Sequence, residues 1–259
     1  MIVFAAVVPH PPLSVPGIGD RDDFSMLKKT LASYDILRKG LEDARPDLII
    51  MISPHGYMEP YSFIINSASD LVGNFSKFSL DKSLSFKNDL DVAEKIIYSA
   101  QINEITAYFR PDFLDHGSLV PLFHLAKNIN PKLIHLSFSL MNFERHYRYG
   151  EIISRILADE KKRVAIIASG DLSHRLSRNS PAGYSPGEVD FDKAIIKLLE
   201  TNKIASLIKI EQKMMDEAAE CGLRSIVIML GMLSDRNYKF KLLSYEHPFG
   251  IGYLTARFV

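Results

Sequence analysis

Residues 1–12 read MIVFAAVVPHPP, and residues 47–56 read DLIIMISPHG. Each contains an apolar run of strand type that stops at the dipeptide Pro-His, so His10 and His55 arrive where the backbone turns aside. A run that is apolar at nearly every position and rich in Val and Ile suits a strand buried on both faces, as in parallel sheets. Between the two runs, Phe24, Leu27, Leu31, Tyr34, Leu37 and Leu41 recur at spacings of three and four, which marks an amphipathic helix. Strand, helix, strand implies a right-handed crossover and a parallel pair.

Working outward, further strand-type runs occur at 62–65, 133–138 and 164–169, with helical patterns at 90–99, 119–127 and 147–158. A loop dense in Ser, Gly, Pro, Asp and Asn follows, GDLSHRLSRNSPAGYSPGEVD, and so long a loop inside a compact domain is more often functional than idle. Helices are expected at 192–199, 204–208 and 222–233. The chain closes on a hairpin-like pair, 238–245 and 251–258, joined by EHPFG. No repeat, low-complexity tract or linker interrupts the pattern. The expected architecture is α/β: a single domain over 1–259, a mostly parallel central sheet with helices on both faces, and a C-terminal antiparallel strand pair.

Composition narrows the function classes. The 259 residues are 47% hydrophobic and 24% charged, with 31 basic and 31 acidic side chains, so bulk charge gives no reason to expect nucleic acid or a membrane surface. The single cysteine, Cys221, rules out a disulfide within the chain and fits a reducing cytoplasm. The apolar start carries no Lys or Arg and ends in PHPPL, which argues against a secretory signal. No apolar run approaches the roughly 18 residues needed to span a bilayer.

In open α/β sheets, ligands collect beyond the carboxyl ends of the strands. Two neighbouring parallel strands that both finish in His would bring His10 and His55 within reach of one cation. Of the eight histidines, His10, His55, His116 (LDHGS) and His174 (DLSHRL) sit in loop contexts beside Gly, Pro or Asp. His124 and His135 have apolar neighbours that suit satisfied core positions, and His146 has charged and aromatic ones that suit solvation. Glu220 and Cys221 open an apolar helix, where an acid or thiolate gains from the helix dipole; the alternative is a first-turn glutamate and a small buried thiol. Two imidazoles and one carboxylate with open positions form the facial triad of non-haem Fe(II) oxygen chemistry, while the same ligands can hold Zn(II) in a hydrolase.

Taken in order, VVPHPPL, ISPHG, LDHGSLVPLFHL, SGDLSHRL, ECGLRSIVIMLG and SYEHPFGIGYL resemble the LigB superfamily: class III extradiol ring-cleavage dioxygenase catalytic subunits and their Memo-like relatives. Within it the sequence is most similar to the AmmeMemoRadiSam-associated branch. The resemblance implies a dioxygenase that cleaves a catecholic ring with O2 using Fe(II), with Zn(II) or Cu as other metals. It implies His10 and His55 as metal ligands, His174 as acid/base and His116 as a contact to substrate or dioxygen. The third ligand of ring-cleaving members is a Glu at the head of the C-terminal helix. Here that place reads Glu220-Cys221-Gly222, and the Memo-like register puts Cys221 in the slot, a departure that leaves a metal protein without ring cleavage as the alternative. Asp115 and Asp171 are candidate orienters of the neighbouring imidazoles, with helix capping the other role for Asp115. Glu246 belongs at the pocket rim. A homodimer and an AMMECR1-type partner protein are further expectations.

Overall fold

The computed structural model describes residues 1–258. In chain order the elements are β1 (Ile2–Val8), α1 (Arg21–Met26), α2 (Lys28–Ala44), β2 (Leu48–Ser53), β3 (Phe63–Asn66), β4 (Asp70–Asn74), β5 (Ser83–Lys87), α3 (Leu90–Ile102), β6 (Ala107–Arg110), α4 (His116–Leu125), β7 (Lys132–Ser137), α5 (Phe143–Asp159), β8 (Val164–Ser169), α6 (Glu188–Glu200), α7 (Ile204–Leu207), α8 (Gln212–Ala218), α9 (Leu223–Met232), β9 (Phe240–Glu246) and β10 (Tyr253–Phe258). The main sheet runs β6-β3-β7-β2-β8-β1-β10-β9, and β4 and β5 form a separate antiparallel hairpin.

The centre of the sheet, β7-β2-β8-β1, is parallel throughout, and β10 and β9 close one edge as an antiparallel pair. Burial on both faces explains the unbroken apolar runs. Along β2, Leu48, Ile50 and Ile52 join one core with side chains of α3, α5 and α9, whereas Ile49 and Met51 join a second core with α2 and α4. β8 divides in the same way, Val164, Ile166 and Ala168 against Ala165 and Ile167. Strand periodicity thus sends alternate residues to opposite layers, both apolar.

Two expectations need correction. β1 and β2 are not neighbours: β8 lies between them and pairs in parallel with both. The helical pattern beginning at Phe24 is also two helices. Asp20 caps α1 through a reciprocal box with Asp23, and the chain leaves helical geometry at Leu27 (φ −91°, ψ 17°), whose side chain is fully buried. α4 begins at His116, three residues before the apolar pattern, because the Asp115 carboxylate accepts from the Ser118 N–H.

Candidate metal centre

The carboxyl ends of β1, β2 and β8 converge. His10 follows β1, and its backbone N–H donates to Asp171 Oδ1 at 3.0 Å, tying the first strand's exit to the loop after β8. The residue is 2% exposed. The ring Nδ1 lies 3.0 Å from Ser169 Oγ, and that hydroxyl donates to the Gly117 carbonyl at 2.6 Å. A hydroxyl has one proton, so Ser169 must accept from His10 Nδ1–H. This fixes the tautomer and leaves the Nε2 lone pair facing the cluster, the arrangement in which a ligating histidine is oriented through its other nitrogen. Burial, with the neighbouring His116, holds the His10 pKa at about 3, so the ring is neutral as a ligand must be.

His55 Nε2 stands 3.0 Å from His10 Nε2. Two nitrogens about 2.1 Å from one ion and at right angles lie about 3.0 Å apart, so the spacing suits adjacent ligands on one cation. His55 reaches the surface, yet desolvation and the His10 and His116 rings push its pKa the same way. His116 stacks on His55, ring centroids 4.3 Å apart, and a His10/His55/His116 set has its ligand atoms within 4.8 Å of one another.

A second set shares His10: His10, Asp171 and Cys221 meet the same 4.8 Å limit. Asp171 N–H donates to Cys221 Sγ at 3.3 Å, and Cys221 N–H donates to the Asp171 carbonyl at 3.2 Å. This reciprocal clasp depends on Ala219, in the left-handed region at φ 52°, and on Gly170 and Gly222. A Cβ on Gly170 would fall 2.0 Å from Gly222 Cα, so the turn after β8 and the head of α9 pack backbone to backbone. The Cys221 Sγ lies 3.8 Å from His10 Nε2. Burial raises both the Cys221 thiol, well above its ordinary value, and Asp171, to about 6.

Glu220 faces elsewhere. Its carboxylate accepts from the Leu223 N–H at 2.7 Å at the start of α9, and burial raises its pKa to about 7. Of the two readings for this dipeptide, helix-end glutamate and cluster-facing thiol, the geometry brings Cys221 to the histidines. Glu246 reaches back from β9 to accept from Thr30 N–H at 2.7 Å in the first turn of α2.

His174 lies beside the cluster, Nε2 3.9 Å from Asp171 Oδ2, with Nδ1 3.0 Å from the Leu172 carbonyl. Only N–H can face a carbonyl, so Nε2 carries the lone pair of the neutral ring. Asp115 does not touch the His116 ring through any hydrogen bond; beyond capping α4 it accepts from Ser53 Oγ at 2.6 Å and pairs with His135 Nε2 at 3.1 Å. Burial pushes its carboxyl up, but His135 and Ser53 outweigh that and hold it below the ordinary range. A cleft of about 530 Å³ opens on the His55 and His116 side of the cluster, bounded also by Asn74, Lys77, Phe78 and Phe113. The β4–β5 hairpin supplies its outer wall.

His135 is the buried, satisfied histidine that its apolar neighbours suggest, paired with Asp115, whereas Ser53 and Ser169 carry no signal of their own in the sequence. Each strand-terminal serine reads as a turn residue, and a histidine inside KLIHLSFSL reads as core. His124 is satisfied as expected, 3.0 Å from Ser14 Oγ and stacked on Tyr34, but it is half-buried at the edge of the core rather than within it. His146 is a correction: it is fully buried in α5, with its ring nitrogens 2.8 and 3.1 Å from the Asn142 and Ser139 carbonyls. Its charged neighbours Glu144, Arg145 and Arg148 occupy the other side of the amphipathic helix.

Among known proteins, the family described as the catalytic LigB subunit of aromatic ring-opening dioxygenase matches residues 4–256. The chain is 31% identical to Protein CA_C1420 of Clostridium acetobutylicum, over 95% of this chain and 55% of that protein, so it spans about half the length of that relative. The crystal structure of the uncharacterized protein JW3007 from Escherichia coli K12 superposes with a TM-score of 0.71 at 14% identity, covering 98% of this chain and 99% of that one. That likeness is one of fold.

Proposed function

This chain belongs to the LigB family, and we propose that within it the protein is a non-haem Fe(II) dioxygenase of extradiol type, opening a catecholic ring with O2 beside the diol. The observation that carries the reading is the pair of Nε2 atoms 3.0 Å apart, one on His10 with its tautomer fixed by Ser169 and the other on His55, which lines an open cleft. His10 and His55 would hold the metal with an anionic third ligand, Cys221 or Asp171. Iron bound there supplies a Lewis acid that lowers a catechol hydroxyl's pKa and holds diol and O2 together.

The chain's own residues supply the rest. His174 Nε2 takes the hydroxyl proton as the diol enters, and Asp171 Oδ2, 3.9 Å away, stabilises the imidazolium that forms. The same ring returns the proton as the carbon ring opens. His116, at the cleft side of His55, offers a second imidazole to the oxygen atoms of the guests, and Phe78 and Phe113 shield the aromatic ring from water.

The test is anaerobic Fe(II) loading followed by a panel of catechols and O2. A yellow ring-fission product from the wild type, lost in His174→Ala with metal content unchanged, supports the reading. Retained turnover in His174→Ala removes that residue from proton transfer, and no product from any catechol counts against ring cleavage.

One observation favours a second reading. With Glu220 engaged at the α9 terminus and Cys221 3.8 Å from His10, a soft thiolate stands available as the anionic ligand beside the Asp171 carboxylate. That suits a Memo-like metal protein acting in redox chemistry or metal handling without ring cleavage. Metal binding without oxygenation of any catechol is its signature.

A further inference from the structure

The turn that delivers His10 reads Pro9-His10-Pro11-Pro12. Proline has no N–H, so across these four residues only His10 can donate from the backbone, and that bond goes to Asp171 Oδ1 at 3.0 Å. A strand ladder cannot extend through such a segment. Beyond the one N–H, backbone hydrogen bonds can fix this turn only through its carbonyls.

The carbonyls of the prolines on either side of His10 are both held by buried side chains. Tyr34 of α2, 2% exposed, donates its hydroxyl proton to the Pro9 carbonyl at 2.6 Å. Ser14, 1% exposed, donates its own to the Pro11 carbonyl at 2.7 Å. His124 of α4 joins the two. Its ring stacks on Tyr34, centroids 4.5 Å apart and planes 15° from parallel, and its Nε2 lies 3.0 Å from Ser14 Oγ. Because the Ser14 proton is committed to Pro11, His124 is the donor in that contact, which places its proton on Nε2. One half-buried histidine thus braces both side chains that grip the His10 turn. Packing alone does not require the Tyr34 hydroxyl. The ring sits in an apolar layer with Phe4, Val8, Leu37 and Leu41, where phenylalanine would fill the same space. Tyr149, buried in the opposite layer, has a hydroxyl with no partner among the described residues.

We propose that Tyr34 and His124 are positioning residues for the metal centre, acting through the Pro9 and Pro11 carbonyls to set the direction of the His10 Nε2 lone pair. The inference rests on His10 as a metal ligand, and not on the reaction carried out there. It gives the α2 and α4 layer a part in the centre, whereas Ser169, Asp171 and Cys221 reach it from the end of β8 and the head of α9. Groups that orient a ligating histidine from behind contribute about 10–100-fold in metal affinity.

The experiment is titration of the full chain with Co(II), a divalent probe whose d–d absorption reports ligand geometry, with urea unfolding to establish that each variant is folded. Tyr34→Phe keeps the stacked ring and removes the donor, and His124→Ala removes the brace. Each should weaken Co(II) binding about tenfold or more and shift the d–d bands at saturation. His124→Gln, which keeps an N–H for Ser14, should recover part of the loss, and Tyr149→Phe should match the wild type in affinity and bands. Should Tyr34→Phe or His124→Ala fail to fold, Ser14→Ala frees the Pro11 carbonyl from the same brace and carries the same expectation. Wild-type affinity and bands in a folded Tyr34→Phe, His124→Ala or Ser14→Ala protein overturn the proposal. Co(II) binding that is absent from the wild type, or undiminished in His10→Ala, overturns the reading of His10 as a ligand, and this inference falls with it.

Discussion

At the scale of single residues, the two histidines that open the account differ in how they are held. His10 is buried and bonded to Ser169, Asp171 and His55, whereas His55 reaches the surface. His10→Ala should therefore cost about 1–3 kcal/mol of stability through the lost ring and the orphaned Ser169 interaction. His55→Ala should stay within about 0.5 kcal/mol. Both should remove stoichiometric metal, and urea unfolding alongside metal analysis separates the two effects. For the third ligand, Cys221→Ser should weaken metal binding, while Glu220→Gln should leave metal content intact, since its amide oxygen can still cap α9. The reverse result would return Glu220 to the ligand set. His146 gives a pH prediction. Burial outweighs the Asn142 and Ser139 carbonyls, which favour the charged ring, and lowers its pKa from 6.5 to about 4. The neutral ring donates to one of the two carbonyls, and between those values the unfolded chain binds a proton that the folded chain refuses. Stability contributed by the neutral ring is present above about 6.5 and is lost as pH falls towards 4. Its share of the slope is at most about 1.4 kcal/mol per pH unit, and His146→Asn should flatten the dependence between pH 5 and 6 in urea unfolding. The Pro-His pairs were legible because turn residues after buried runs have few other uses. Ser169 and Ser53 were not, and His135 was legible as a satisfied core residue but not as the partner of Asp115, because the partners of all three lie far away in sequence.

At the scale of elements, runs such as Ile2–Val8 and Val164–Ser169 were legible to the residue, since burial on both faces demands continuous apolar sequence. Strand order was not. The sequence places β1 and β2 in succession, and nothing local says that β8, more than a hundred residues on, slides between them. The insertion matters chemically, because β8 brings the serine that fixes His10 and the aspartate that meets Cys221. The β4–β5 hairpin also escaped notice: its strands are five residues each and half exposed, too short for alternation to stand out. The junction between β8 and α9 carries its own prediction. Gly170→Ala would drive a methyl into Gly222, so α9 must shift away from the sheet end. A loss of about 1–3 kcal/mol is expected from such overpacking, together with weakened metal binding as Cys221 moves with the helix. Unchanged metal affinity in a destabilised Gly170→Ala protein would separate Cys221 from the centre.

At the scale of the whole molecule, the sheet carries a cleft lined by His55 and His116 beyond the carboxyl end of β2. No helix among the described residues is long and apolar enough to cross a membrane. The central claim is that imidazoles delivered by two strands separated by a third share one cation. It is tested most directly by X-ray absorption at the iron edge on anaerobically loaded protein, with metal stoichiometry measured on the same sample. One iron per chain with two imidazoles in its coordination sphere is the predicted result. A sphere without imidazole, or full loading retained in a folded His10→Ala/His55→Ala variant, would contradict it.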